Sequence, residues 1–385
     1  MKNNKAKLLA AAVAMGISAQ ASAAIELYNT EGTTFSVDGY FNTFYVHSSV
    51  DGGPQGDNDQ SRVRMGFLPN YIGFNFSKKI DDLTVGGRSS FWVTINDSDA
   101  TRAGNQGRGE SLGTDSGIDV RQFYATVDGS FGQVLIGKDF GLFNRAVILG
   151  DELLIGYGQT SDTLGLVDGG NVSFGNIATG YTYPFPKAQI TYRTPATNGF
   201  QLAVGIMDPN KSDTDSEETA PRFEAEATFA GEMFSANIST LYQSSDSTTG
   251  GEDVDTTGVA GGVKFKAAGF ALGLSAFSGE GMGTIAGLDT LTFSEDNEVE
   301  GYLVQASYTA GATRFVVSYG NSESDDDPIL GGGADAEVEN TAFGIFHSVN
   351  SNLILIGEYN MTEVEVDGAE FEENDTIALG AVVLF

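Results

Sequence analysis

The feature that most limits this chain is a period of two in hydrophobicity, repeated in segments of about ten residues along most of its length. Phe200, Leu202, Val204 and Ile206 fall on one face of such a segment, with Gln201, Ala203 and Gly205 on the other. Phe234, Ala236, Ile238, Thr240 and Tyr242 repeat the pattern, as do Tyr302, Val304, Ala306 and Tyr308. Past the first residues no apolar run reaches the roughly 18 residues that a membrane-spanning helix needs. A closed barrel crosses with strands of about 9–11 residues whose outer faces alone are apolar, and it satisfies every backbone hydrogen bond between strands. A soluble sandwich also alternates. Here, however, the apolar stripe of the last strand, Ile377, Leu379, Ala381, Val383 and Phe385, continues to the final residue.

Counting the segments predicts an all-β, closed antiparallel transmembrane β-barrel of about sixteen strands over residues 24–385. The connections alternate in length. Short links such as Asp128-Gly129-Ser130, Thr197-Asn198-Gly199 and Ser351-Asn352 are built from residues that tolerate tight turns. Eight long links, at 51–60, 98–117, 141–178, 208–220, 244–255, 279–297, 321–338 and 364–373, alternate with them. One end of the barrel is thus expected to carry short turns and the other long loops.

Lys2, Lys5 and Lys7, the apolar run 8–19 and Ala21-Ser22-Ala23 read as a secretory signal peptide over residues 1–23. The chain holds 52 acidic against 20 basic residues, a net charge of −32, which argues against nucleic acid because phosphate binding needs clustered Lys and Arg. Many of the acids fall in the long links. With no Cys, disulfides, thiolate metal sites and Cys nucleophiles are excluded. His47 and His347 sit in no catalytic motif, and the acidic runs lack EF-hand spacing. No enzyme activity, cofactor or metal is expected.

The alternating C-terminal segment ending in Phe385 resembles the assembly signal of outer-membrane barrels. With the leader, the strand count and the alternating loops, the mature chain resembles the Gram-negative general porins. That resemblance implies an outer-membrane location, a homotrimer, contact with lipid and lipopolysaccharide, and passive diffusion of ions and small hydrophilic solutes. A second likeness is local. Val120-Arg121-Gln122-Phe123-Tyr124, the turn Phe131-Gly132 and the strand to Lys138 are similar to the porin hairpin that leads into a third loop folded into the barrel. Residues 139–178 are therefore the expected constriction loop, rich in apolar residues such as Leu142, Phe143, Val147 and Leu153. The Pro-Glu-Phe-Gly type sequence common near the loop tip of many relatives is not present.

Alternation assigns the pore charges. With Val63, Met65 and Phe67 outward, Arg62 and Arg64 face in; with Val85, Phe91 and Val93 outward, Arg88 and Trp92 face in; Arg121 is expected to join this basic wall. Asp151 and Glu152 on the loop are expected to oppose it, Asp162 and Asp168 less so, and a transverse field would result. Arg145 is the expected anchor of the loop. Glu224, Glu226, Lys264 and Lys266 also fall on inward faces. Acidic loops would gather cations at the mouth, so a weak cation preference is expected. The competing readings are a substrate-specific channel, or an adhesin or phage receptor acting through the loops.

Overall fold

The computed structural model describes residues 24–54, 56–96, 118–161, 173–211, 215–251, 253–283, 285, 297–327 and 333–385. The expected leader and the loop acids Asp162 and Asp168 lie outside the described residues. The strands are β1 (Ile25–Thr30), β2 (Thr33–Gly52), β3 (Asn58–Arg64), β4 (Asn70–Ile80), β5 (Leu83–Val93), β6 (Ile118–Gly129) and β7 (Gly132–Phe140). After these come β8 (Gln159–Thr160), β9 (Ser173–Gly175), β10 (Pro186–Arg193), β11 (Phe200–Met207), β12 (Arg222–Ala230), β13 (Phe234–Ser245) and β14 (Val254–Ala267). The remainder are β15 (Phe270–Glu280), β16 (Glu298–Ala310), β17 (Thr313–Asp327), β18 (Ala334–Ser348), β19 (Leu353–Val366) and β20 (Ala369–Leu384), and a short helix α1 covers Arg145–Gly150.

Closure comes from β2, which pairs with β20 from Tyr40↔Leu384 to Gly52↔Glu372. Its earlier residues pair with β1, from Ile25↔Val37 to Thr30↔Thr33, on the edge that β20 vacates. β3 and β4 also share one stave, since both pair with β2. The ring therefore has sixteen antiparallel staves, as the alternation predicts. Each stave of the ring therefore finds backbone partners on both sides.

The two faces follow the pleat. On β11 the odd-looking apolar set Leu202, Val204 and Ile206 points outward and stays exposed, while Ala203 and Met207 point in and are buried. Near the short turns the outward aromatics touch from strand to strand: Phe200 to Phe229 at 4.9 Å, Phe229 to Phe234 at 5.9 Å and Phe234 to Phe265 at 5.0 Å between ring centroids. Such a band suits a membrane interface. The turn below them needs Asn198 and Gly199 at φ 50° and 88°, a region that favours these residue types.

Two expectations change. The stave holding Arg62 and Arg64 breaks at residues 65–69, so Met65 and Phe67 leave the outer face. Met65 is buried, and its N–H is taken by the Asn96 side chain at 2.9 Å, while Phe67 donates its N–H to the Gly156 carbonyl at 3.0 Å. The last connection, expected to be a long loop at 364–373, is a tight turn at Asp367 and Gly368 between two long strands. Strand pairing continues through these acidic segments. Glu300, Glu323, Glu337 and Glu365 stand directly opposite one another on successive strands, and Glu339, Glu363, Glu373 and Asp51 form a second row. Much acidic charge assigned to loop tips thus sits on the outer strand faces beyond the apolar band.

Candidate pore constriction

The described residues between β7 and β10, 141–161 and 173–185, turn back into the lumen, and the short pair β8 and β9 lies within them. Apolar residues among them leave water by packing on the barrel wall. Val147, Ile148, Leu154 and Ile177 join Leu303 of β16, Val338 of β18 and Val364 of β19, while Leu153 and Tyr157 join Tyr40, Phe44 and Phe346. Burying one such side chain contributes about 1.5–3 kcal/mol.

Carboxylates on the wall hold the loop backbone. Glu224 of β12 accepts the N–H groups of Leu142 and Phe143, the latter at 2.9 Å. Glu358 of β19 accepts those of Tyr157 at 3.1 Å and Gly158 at 2.9 Å. A Cβ at Gly156 would meet the Glu358 carboxylate, so a larger residue there would have to displace the side chain that holds the loop. Glu224 and Glu226 do face inward, as do Lys264 and Lys266.

Asp151 and Glu152 find their partners on the loop itself and on β14, β16 and β17. Asp151 is buried and accepts hydrogen bonds from Tyr181 Oη at 2.7 Å, Asn176 Nδ2 at 2.9 Å and Gln305 Nε2 at 2.6 Å. Glu152 pairs with Lys264 of β14 and with Arg314 of β17, the latter at 2.5 Å. Carboxylates carried out of water need donors, and the strands under the loop supply them. Burial pushes the Glu152 carboxyl up, but Lys264 and Arg314 outweigh it and hold the group below its ordinary value. Burial, with Asp151 beside it, raises the Tyr181 hydroxyl.

The arginines divide. Arg62 is exposed and bonds Gln60 at 3.2 Å, whereas Arg64 is buried, opposite Phe44. Arg88 meets Asp38 at 2.7 Å, donates to Gln122 at 2.8 Å and stacks over Tyr71. Simple alternation would set Arg121 on the outward face of Phe123. A register shift between Ser90 and Trp92 rotates it inward. It lies 5.1 Å over the Trp92 ring, donates to Tyr183 Oη at 2.8 Å and pairs with Asp119 at 2.7 Å. Burial raises the Tyr183 hydroxyl despite that guanidinium. Arg145 reaches Glu226 of β12 at 3.7 Å, too long for a hydrogen bond. Between the loop and the wall of β5–β7 lies a cavity of about 790 Å³, including its opening to solvent, bordered by Trp92, Arg121, Tyr124, Arg145, Leu149 and Tyr183.

The sequence reading missed the acids that pair these arginines. Asp38 was legible, because it shares the inward face of Tyr40 and Asn42 on β2. Arg314 and Glu358 also follow the inward alternation of their strands. Nothing local to either residue shows that the loop would reach it. Phe385 closes the ring: its backbone exchanges hydrogen bonds with Gly39 at 2.7 and 3.1 Å, and its ring stacks on Phe41 at 5.6 Å.

A model of the Gram-negative porin family matches residues 9–367. No curated protein matches the sequence significantly. Among solved structures, the outer-membrane channel DcaP of Acinetobacter baumannii is 15% identical over 93% of this chain and 99% of its own, with a TM-score of 0.65. The anion-selective porin of Comamonas acidovorans is 16% identical over 92% of this chain and 100% of its own, with a TM-score of 0.66. Salmonella typhi OmpF, in complex with daunomycin, is 16% identical over 94% of this chain and 100% of its own, with a TM-score of 0.64. These identities carry the fold, and the family match carries the assignment. The chain therefore belongs to the Gram-negative porin family and serves as a passive channel across the outer membrane.

Proposed function

We propose that the protein is a homotrimeric, non-specific diffusion channel for ions and small hydrophilic solutes, with a weak preference for cations. The observation that carries the sign is the local pairing of charge at the constriction. Of the wall arginines, Arg88 has Asp38 and Arg121 has Asp119, so part of the basic wall is neutralised where it stands. The acidic excess of the chain then sets the field at the mouth. The Comamonas acidovorans porin is anion-selective, so selectivity in this fold follows each chain's own charges. A trimer agrees with the fold likeness to Vibrio cholerae OmpT, which is described in a trimer form. On this reading residues 1–23 direct export and are removed, the outer strands meet lipid and lipopolysaccharide, and the C-terminal strand ending in Phe385 marks the chain for assembly.

The test is conductance of the purified protein in a planar bilayer under a salt gradient. Ohmic steps in groups of three, with a reversal potential of cationic sign that shrinks as salt rises, are expected. A reversal potential of anionic sign would overturn the preference, and no steps from folded protein would overturn the open channel.

A further inference from the structure

Six aromatic rings run in unbroken contact along one side of the barrel interior. Tyr40 of β2 stacks on Tyr71 of β4 at 6.0 Å between ring centroids, Tyr71 meets Trp92 of β5 at 4.6 Å, and Trp92 meets Phe140 of β7 at 6.2 Å. Phe140 then meets Tyr183 edge to face at 6.2 Å, and Tyr183 meets Phe185 at 4.7 Å. The first three rings are buried, and packing is sufficient reason for them. Phe140 and Tyr183 are only half-buried, and with Trp92 they border the cavity of about 790 Å³ between the loop and the wall. Phe67, Leu68 and Leu149 line the same space, and all three are also half-buried. Polar groups beside it are engaged with one another. Arg121 donates to Tyr183 Oη at 2.8 Å, pairs with Asp119 at 2.7 Å and lies over the Trp92 ring, while Gln122 donates to Asp139 at 2.9 Å. The surface left for a visitor is therefore largely apolar, and water held against such a surface is released favourably when something apolar covers it.

We propose that this cavity is a weak subsite for the ring of a small aromatic solute, which slows such solutes at the constriction without excluding others. Its size lies within the range of about 300–1,000 Å³ common to small-molecule sites, and apolar and aromatic side chains with a few polar groups are their usual lining. An entering ring meets Phe140 and Tyr183, with which edge-to-face or offset contact is favoured by the ring quadrupoles, and displaces water from Phe67 and Leu149. Arg121 holds the Trp92 and Tyr183 rings in place before the solute arrives, so little ordering is left to the binding step. The cavity opens to solvent, so residence is short. The inference deepens the diffusion-channel reading above and rests on it.

The experiment records single channels of the full-length protein in a planar bilayer at neutral pH while L-phenylalanine or L-alanine is added. Both probes are zwitterions and differ in the ring alone. Phenylalanine is expected to lower the mean open current saturably, whereas alanine at equal concentration should change it little and without saturation. Phe140→Ser and Leu149→Ser should each raise the half-effect concentration of phenylalanine about tenfold, as expected when one large apolar contact is lost, and Phe140→Tyr should stay within about twofold of wild type. Open steps in salt alone establish that a variant has folded, and either serine variant suffices for the comparison. Equal effects of the two probes on wild type, or an unshifted half-effect concentration in a serine variant that opens, overturn the subsite while leaving the channel intact; absence of steps in wild type overturns the channel reading instead.

Discussion

The carboxylate of Glu358, on β19, accepts the backbone N–H of Gly158, on the inserted loop, at 2.9 Å. The same oxygen takes the N–H of Tyr157, and the second carboxylate oxygen is buried without a partner. One wall side chain thereby fixes the direction in which the loop crosses the lumen. Glu358→Ala would strand two buried donors, at a cost of about 1–3 kcal/mol for each unmet group. The loop should then sample undocked positions. Single-channel recordings are expected to show larger and noisier open currents, while Glu358→Gln, which keeps a carbonyl acceptor, should change them less. Unaltered noise in the alanine variant would mean that apolar packing alone positions the loop.

Glu152 gives the docking a dependence on pH. Its carboxyl lies below the ordinary value of 4.5 because Lys264 and Arg314 outweigh the effect of burial. The stabilisation is therefore fully present above about pH 4.5 and is lost as pH falls through the lowered value. Conductance should be steady from neutral pH down to the ordinary carboxylate range and become irregular below it. Glu152→Gln should show some of that irregularity already at neutral pH and respond less to acid. An identical acid response in the variant would assign the effect to other carboxylates.

Phe385 separates folding from assembly. Its ring contact with Phe41 is worth about 0.5–1.5 kcal/mol beyond the area it buries, so Phe385→Ala should lower barrel stability only modestly. In cells, where the terminal aromatic is proposed to be read during assembly, the amount of folded protein in the outer membrane should fall much more. Refolding into detergent and quantification in membranes distinguish the two. Equal losses in both would assign Phe385 a purely structural role.

Part of the architecture follows from local rules. The alternation in Phe200–Ile206 requires one apolar and one water-facing side, and a membrane strand satisfies that only in a closed sheet, so the barrel and its stave count were legible. Inward placement of Arg88, Glu224 and Lys264 followed from the same period of two. The break after Arg64 was not legible, because it depends on Gly156 of the loop and on the Asn96 side chain meeting that segment. The inward turn of Arg121 was expected, but its cause, the register shift opposite Ser90 and Trp92, belongs to two strands together.

The sequence by itself determined a closed β-barrel with an apolar outer band and a water-facing interior, because periodicity acts through each strand's own residues. Only the tertiary structure decided which charges meet. Asp151 and Glu152 turn to Tyr181, Gln305, Lys264 and Arg314, because burial of a carboxylate is tolerated only beside donors, and the donors within reach are fixed by where the loop comes to rest.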